Sequence, residues 1–229
     1  MFANIRCITF DLDDTLWPVR PVILNAEEKL YQWLSEHYPR ITDKYSAEQL
    51  IQQRIAASQL HVEIAHNVTL LRWHFLSNLA QEFDYPSCVA DQGLDLFCQY
   101  RNDVAPFAEA EGMLTQLQKS FTLGAITNGN AQLDKIPIGK YFDFVITAAD
   151  VGASKPCISL FQQAASEAGV ETHQIVHIGD SAEADVIGAN QAGCHSIWFN
   201  PARQSWPGGQ SPDAVIHSLN EVPALINAQ

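Results

Sequence analysis

Five short, β-prone apolar runs punctuate the chain: Ile5 to Phe10, Phe121 to Thr127, Phe142 to Thr147, Ile175 to Ile178 and His195 to Phe199. Runs this short, apolar with little alternation, read as strands buried on both faces. Stretches with helical spacing lie among them: Glu109 to Lys119, Cys157 to Ala168 and Ser181 to Ala192. The last two are each followed by a glycine, Gly169 and Gly193, the residue that most readily closes a helix. Strands alternating with helices make βαβ units, which assemble into an α/β, doubly wound, mainly parallel Rossmann-like sheet.

The segment from Trp17 to Asp103 interrupts this alternation. Its apolar residues recur at helical intervals, as in Leu30, Trp33, Leu34, then Leu50, Ile51, Ile55, then Leu71, Phe75, Leu79. Ser46-Ala47-Glu48-Gln49 has the form of a capping box, in which serine and glutamine close a helix start reciprocally. The expected organisation is a discontinuous α/β core from residues 1–16 and 104–229, with an all-helical cap domain, 17–103, inserted in it. Trp73, Phe75 and Phe83 read as helix packing, and Ser205 to Pro212 as a surface loop.

Open α/β sheets place their ligands beyond the carboxyl ends of the strands, and those ends carry the chemistry here. Asp11 and Asp13 follow the first run, and Thr127 and Asn128 close the second. Lys155 lies in Gly152-Ala153-Ser154-Lys155-Pro156 ahead of a helix; Asp180 follows the fourth run, with Asp185 five residues on. A calcium loop starting at Asp11 would need Gly at its sixth position and Glu at its twelfth, where this chain has Leu16 and Val22. A phosphate site uses these residue types differently. One carboxylate attacks phosphorus, and a second carboxyl protonates the leaving alcohol and then activates water. Mg²⁺ held by carboxylate oxygens offsets the crowded negative charge, and a hydroxyl and a lysine bind the transferring oxygens.

Net charge excludes some partners. At −13 the chain is a poor match for nucleic acid or an anionic membrane, though not for a small anion held locally. No apolar run approaches the ~18 residues of a membrane span. Met1 to Arg6 lacks a signal-peptide layout, and five cysteines with no CxxC pair suit free thiols, read as small buried hydrophobes, in a reducing cytoplasm. The expected partner is a small phosphate ester.

The order Asp11-Leu12-Asp13-Asp14-Thr15, then Thr127-Asn128, then Lys155-Pro156, then Gly179-Asp180 with Asp185, resembles the four motifs of the haloacid dehalogenase-like hydrolase superfamily. The resemblance spans essentially the whole chain and implies roles. Asp11 would be the nucleophile. Asp13 would be the general acid/base and would lend its backbone carbonyl to Mg²⁺. Thr127, with the amide of Asn128, would bind the phosphoryl group, and Lys155 would steady both phosphate and nucleophile. Asp180 would complete the metal ligands with Asp11 and Asp13, and Asp185 would support the metal. Thr15 would brace the loop.

Within the superfamily, Thr9 to Leu16, Arg20 to Leu24, Ile126 to Gln132 and Tyr141-Phe142 are similar to bacterial 5-amino-6-(5-phospho-D-ribitylamino)uracil phosphatases of riboflavin biosynthesis. A 2-haloacid dehalogenase shares the aspartate and lysine but needs neither Asp13 nor a metal. A sugar phosphomutase shares every motif, and a silent binding protein is disfavoured by the presence of both Asp11 and Asp13. Specificity is expected in the cap, with Trp17, Arg20 and Arg72 as candidates for the leaving group. His177, inside the fourth run, reads as a satisfied core residue.

Overall fold

A computed structural model describes residue 2 and residues 4–227; Met1 and Ala3 of the leader reading lie outside the described residues. By contact the chain divides into two compact units, one running up to Pro18 and resuming at Ala105, the other Val19–Val104.

The first unit is built on six strands: β1 (Cys7–Phe10), β2 (Thr122–Thr127), β3 (Phe144–Thr147), β4 (Ile175–Gly179), β5 (His195–Phe199) and β6 (Ala214–Ile216). Their order is β3-β2-β1-β4-β5-β6, and every pairing is parallel. This is the doubly wound arrangement, with the change of direction at β1. β1 and β4 are buried throughout, as their apolar runs require. The β1 run begins earlier in sequence than in the sheet, because Ile5 lies outside the ladder and Arg6 only flanks it, through bonds to Gln174 O and from Thr122 N. β6 has no counterpart in the sequence reading; three residues after a Pro- and Gly-rich loop are too few to show a period.

In this unit, α6 (Ala110–Leu117) precedes β2, and α7 (Ala148–Val151) and α8 (Ile158–Ala168) lie between β3 and β4. After β4 comes a π-helical turn, Ala182–Ile187, leading into α9 (Gly188–Gln191); α10 (Glu221–Asn227) ends the described chain. Leu160, Phe161, Ala164 and Ala165 of α8 pack with Cys7, Ile126, Ile146 and Ile175 of the strands in one core cluster.

The second unit is helical: α1 (Val19–His37), α2 (Pro39–Lys44), α3 (Ala47–Gln59), α4 (Val68–Glu82) and α5 (Cys88–Arg101). α3 begins at the anticipated capping box, Ser46 accepting from Gln49 N while Gln49 accepts from Ser46 N. Leu30, Leu34, Leu50, Leu76, Leu79 and Phe97 form its core, with Trp73, Phe75 and Phe83 packed against it. Two expectations fail. Cys88 and Cys157 are exposed and only Cys7 and Cys194 are buried, since a helix start and a loop leave no core position at those sites. Arg72 is no substrate reader. It is buried, paired with Glu27 at 2.8 and 3.2 Å, and its guanidinium lies 3.3 Å from the Phe97 ring centroid.

Candidate active site

The three central strands deliver the polar groups. Asp11 follows β1, its N–H still bonded to Ile178 O at 2.9 Å. Thr127 closes β2, and Gly179 and Asp180 close and follow β4. A pocket of about 190 Å³ is lined by Asp11, Asp13, Thr127, Asn128, Gly129, Lys155, Asp180 and Asp185, among others. It falls below the roughly 300–1,000 Å³ of sites that enclose a whole small ligand, so it suits one head group.

Lys155 Nζ occupies the centre. It donates to Asp11 Oδ1 at 2.6 Å, Asp185 Oδ1 at 2.6 Å and Ile126 O at 2.7 Å, with its side chain 2% exposed. Three donors meet three acceptors, which is how a buried ammonium is tolerated. Asn128 clamps the lysine from behind: its Oδ1 accepts from Lys155 N at 2.7 Å and its Nδ2 donates to Lys155 O at 3.1 Å. Thr127 Oγ1 accepts from Gly129 N, so its hydroxyl proton points elsewhere.

The acids differ in what balances them. Burial raises the Asp11 carboxyl to about 8 against the pull of Lys155. Burial, then Asp185 and Asp14, raises Asp180 to about 6. Burial also works against Asp185, but Lys155 and His177 outweigh it and hold that carboxyl well below its usual value. Two neighbours of one lysine thus shift in opposite directions. Asp185 also accepts from His177 Nε2 at 3.1 Å and Ser181 N at 2.9 Å, whereas the Asp11 carboxyl accepts from Lys155 and faces the charges of Asp185 and Asp180. Burial depresses the His177 imidazole, leaving it neutral. Gly179 makes room for this arrangement, since a Cβ there would lie inside the Asp185 carboxyl.

Around this centre the remaining residues act as braces. Thr15 Oγ1 donates to Asp180 Oδ1 at 3.3 Å, and Trp198 Nε1 to Asp180 O at 2.7 Å. Trp17 is fully buried and its Nε1 donates to Asp13 Oδ1 at 2.9 Å. It therefore orients the acid/base candidate and does not reach a leaving group, contrary to the sequence expectation. The turn is closed by Asp14 N to Trp17 O at 2.7 Å, with Asp14 in the left-handed region at φ 58°. Arg20 is exposed in the first turn of α1, in the other unit. Glu183 is exposed. The braces Trp17 and Trp198 left no sequence signal, because an indole that hydrogen-bonds a carboxylate looks like any core tryptophan.

Carboxylate oxygens of Asp11, Asp180 and Asp185 lie within 4.8 Å of one another. Against several acids the pocket sets one ammonium, that of Lys155. A hard divalent cation fits such an all-oxygen, electron-rich set.

A family profile described as haloacid dehalogenase-like hydrolase matches residues 5–193. The chain belongs to this family. The 5-amino-6-(5-phospho-D-ribitylamino)uracil phosphatase YigB of Escherichia coli is 33% identical to this family member, covering 98% of this chain and 97% of that protein. Human N-acylneuraminate-9-phosphatase is 25% identical over 99% of the chain and 95% of its own length. Among solved structures, the 2-haloacid dehalogenase from Pseudomonas syringae superposes with a TM-score of 0.92 at 36% identity, over 98% of this chain and 99% of that one. A HAD phosphatase from Thermococcus onnurineus shares the fold, with a TM-score of 0.72 at 23% identity and coverage of 98% and 99%.

Proposed function

We propose that this chain is a Mg²⁺-dependent phosphomonoester hydrolase that works through an aspartyl phosphate on Asp11. The supporting observation is the joint placement of Asp11, Asp13, Lys155 and Asp180 around one head-group pocket. In this reading Asp11 attacks phosphorus; the O–P bond forms as the ester P–O bond breaks. Asp13, oriented by Trp17, passes its proton to the leaving alkoxide. It then takes a proton from water, which attacks the phosphoryl group, releases inorganic phosphate and regenerates the Asp11 carboxylate. Thr127 donates its hydroxyl proton to the phosphoryl oxygens, and Lys155 offsets their charge.

The ion would be held by the carboxylates of Asp11 and Asp180 and the backbone carbonyl of Asp13, with Asp185, already occupied by three donors, behind them. When bound it supplies positive charge to an electron-rich head group and orients it. A small phosphorylated metabolite is the substrate class. 5-Amino-6-(5-phospho-D-ribitylamino)uracil is the named candidate, by likeness to YigB. Arg20 is assigned to the leaving group on its nearness in sequence to the catalytic loop. A cytoplasmic setting goes with such a metabolite.

The likeness to the Pseudomonas 2-haloacid dehalogenase favours a second reading, dehalogenation of a 2-haloacid. That reaction has no use for the second carboxyl at Asp13 or for a cation beside Asp180, and both acids line the pocket. The test offers the purified protein p-nitrophenyl phosphate, the ribityl phosphate and 2-chloropropionate, each with Mg²⁺ and with EDTA. Magnesium-dependent phosphate release supports the phosphatase reading; halide release undiminished by EDTA overturns it.

A further inference from the structure

A fully buried histidine inside a central strand needs a reason, because an imidazole without partners in a dry core is costly. His177 has two partners and both are specific. Its Nδ1 lies 2.9 Å from Thr9 Oγ1, and its Nε2 lies 3.1 Å from Asp185 Oδ1. Thr9 and His177 are register partners on β1 and β4. Both are buried, and the Phe161 ring of α8 packs edge-on against the imidazole, centroids 5.1 Å apart.

The chemistry of these atoms fixes the proton positions. An ionised Asp185 only accepts, so Nε2 carries the proton and donates. Nδ1 is then the bare nitrogen and takes the Thr9 hydroxyl proton. From Asp185 the path continues through Lys155 Nζ to Asp11 Oδ1, each step 2.6 Å. Asp11 lies two residues beyond Thr9, so the path starts on β1 and ends at the residue that follows it.

Resting on the phosphatase reading above, we propose that His177 is a positioning residue. Its Nε2–H fixes the Asp185 carboxylate that holds Lys155 against the nucleophile, and Thr9 fixes the tautomer that lets it do so. Without that donor, Asp185 keeps only Lys155 and Ser181 N, and it is free to turn about the latter. Lys155 then loses a fixed anchor, and small misplacements near a reacting centre are expensive.

Four variants of the full-length protein, assayed on p-nitrophenyl phosphate with Mg²⁺, test this. His177→Phe keeps the ring and removes the donor; kcat is expected to fall about ten- to a hundredfold with KM changed less than about threefold. His177→Gln places an amide N–H near the Nε2 position and is expected to recover kcat to within about threefold of wild type. Thr9→Val lowers kcat in the wild-type background and has no further effect in the double variant with His177→Phe, because it acts only through the imidazole. The proposal is overturned if His177→Phe turns over like wild type, if Gln is no better than Phe, or if Thr9→Val costs the same in both backgrounds. A wild-type protein that releases no phosphate overturns the phosphatase reading instead. The relay is then judged on ¹⁵N-imidazole NMR: a protonated Nε2 and bare Nδ1 at His177, perturbed by Thr9→Val, support it, and the opposite tautomer refutes it.

Discussion

Removing the cation should make the stability of this protein fall with pH, in a window the site itself defines. Burial raises Asp11 from 3.8 to about 8, and burial with neighbouring acids raises Asp180 from 3.8 to about 6. Each folded value lies above its unfolded one, so the folded chain holds protons that the unfolded chain has released. That stability is complete below about pH 4 and is lost as the pH climbs through the folded values. His177 works in the opposite sense: burial depresses it below 6.5, so its contribution grows through that pH and levels off about one unit above it. Between pH 6.5 and 8 Asp11 dominates: Asp180 has nearly finished, and the last of the His177 gain offsets a small part. One pKa unit corresponds to about 1.4 kcal/mol; integrating Asp11 over that window gives a loss of about 2 kcal/mol. For a chain of this size that is a drop of about 4–8 °C in the melting midpoint. Thermal melts in EDTA at pH 6.5, 7.25 and 8 measure it, and 5 mM MgCl₂ should flatten the slope by supplying the missing charge. A midpoint in EDTA that holds or rises across the window, or an equal slope with magnesium, would refute the reasoning.

Two further outcomes follow from the braces and the ion pairs. Trp17→Phe removes the donor on Asp13 Oδ1; a hydrogen bond to a charged group is worth about 1.5–3 kcal/mol, so kcat on an alkyl phosphate should fall about tenfold or more. The loss should be much smaller on p-nitrophenyl phosphate, whose leaving group needs no proton, and equal losses would detach Trp17 from the acid/base role. Arg72→Met removes the bidentate partner of the half-buried Glu27, which keeps Arg54 at 3.2 Å, and should destabilise the helical unit by about 1.5–3 kcal/mol in urea unfolding; a change below about 1 kcal/mol would show the pair to be incidental.

The α/β architecture was legible because its signal is local and repeated: short apolar runs for strands buried on both faces, glycines at helix ends, and Ser46 with Gln49 at the start of α3. The pocket-lining residues were legible because open parallel sheets place strand-end residues together, so Asp11, Thr127 and Asp180 needed only their strands to be found. The contacts between them were not. Trp17 on Asp13, Asn128 on the Lys155 backbone and His177 on Asp185 depend on side-chain direction and long-range register, which no period in the sequence encodes. Arg72 misled for the same reason, since an arginine facing Glu27 and Phe97 inside a bundle has the same local sequence as one facing solvent. The absence of a core position at Cys88 and Cys157 is likewise a matter of tertiary placement.

The central claim is that Asp11 becomes phosphorylated. Rapid acid quench during turnover of a ³²P-labelled phosphomonoester, followed by peptide mapping with and without hydroxylamine, reads this directly. The account predicts a hydroxylamine-sensitive label on the peptide containing Asp11, absent from Asp11→Asn; a wild-type protein that turns over without that label, or carries it on another residue, would contradict it.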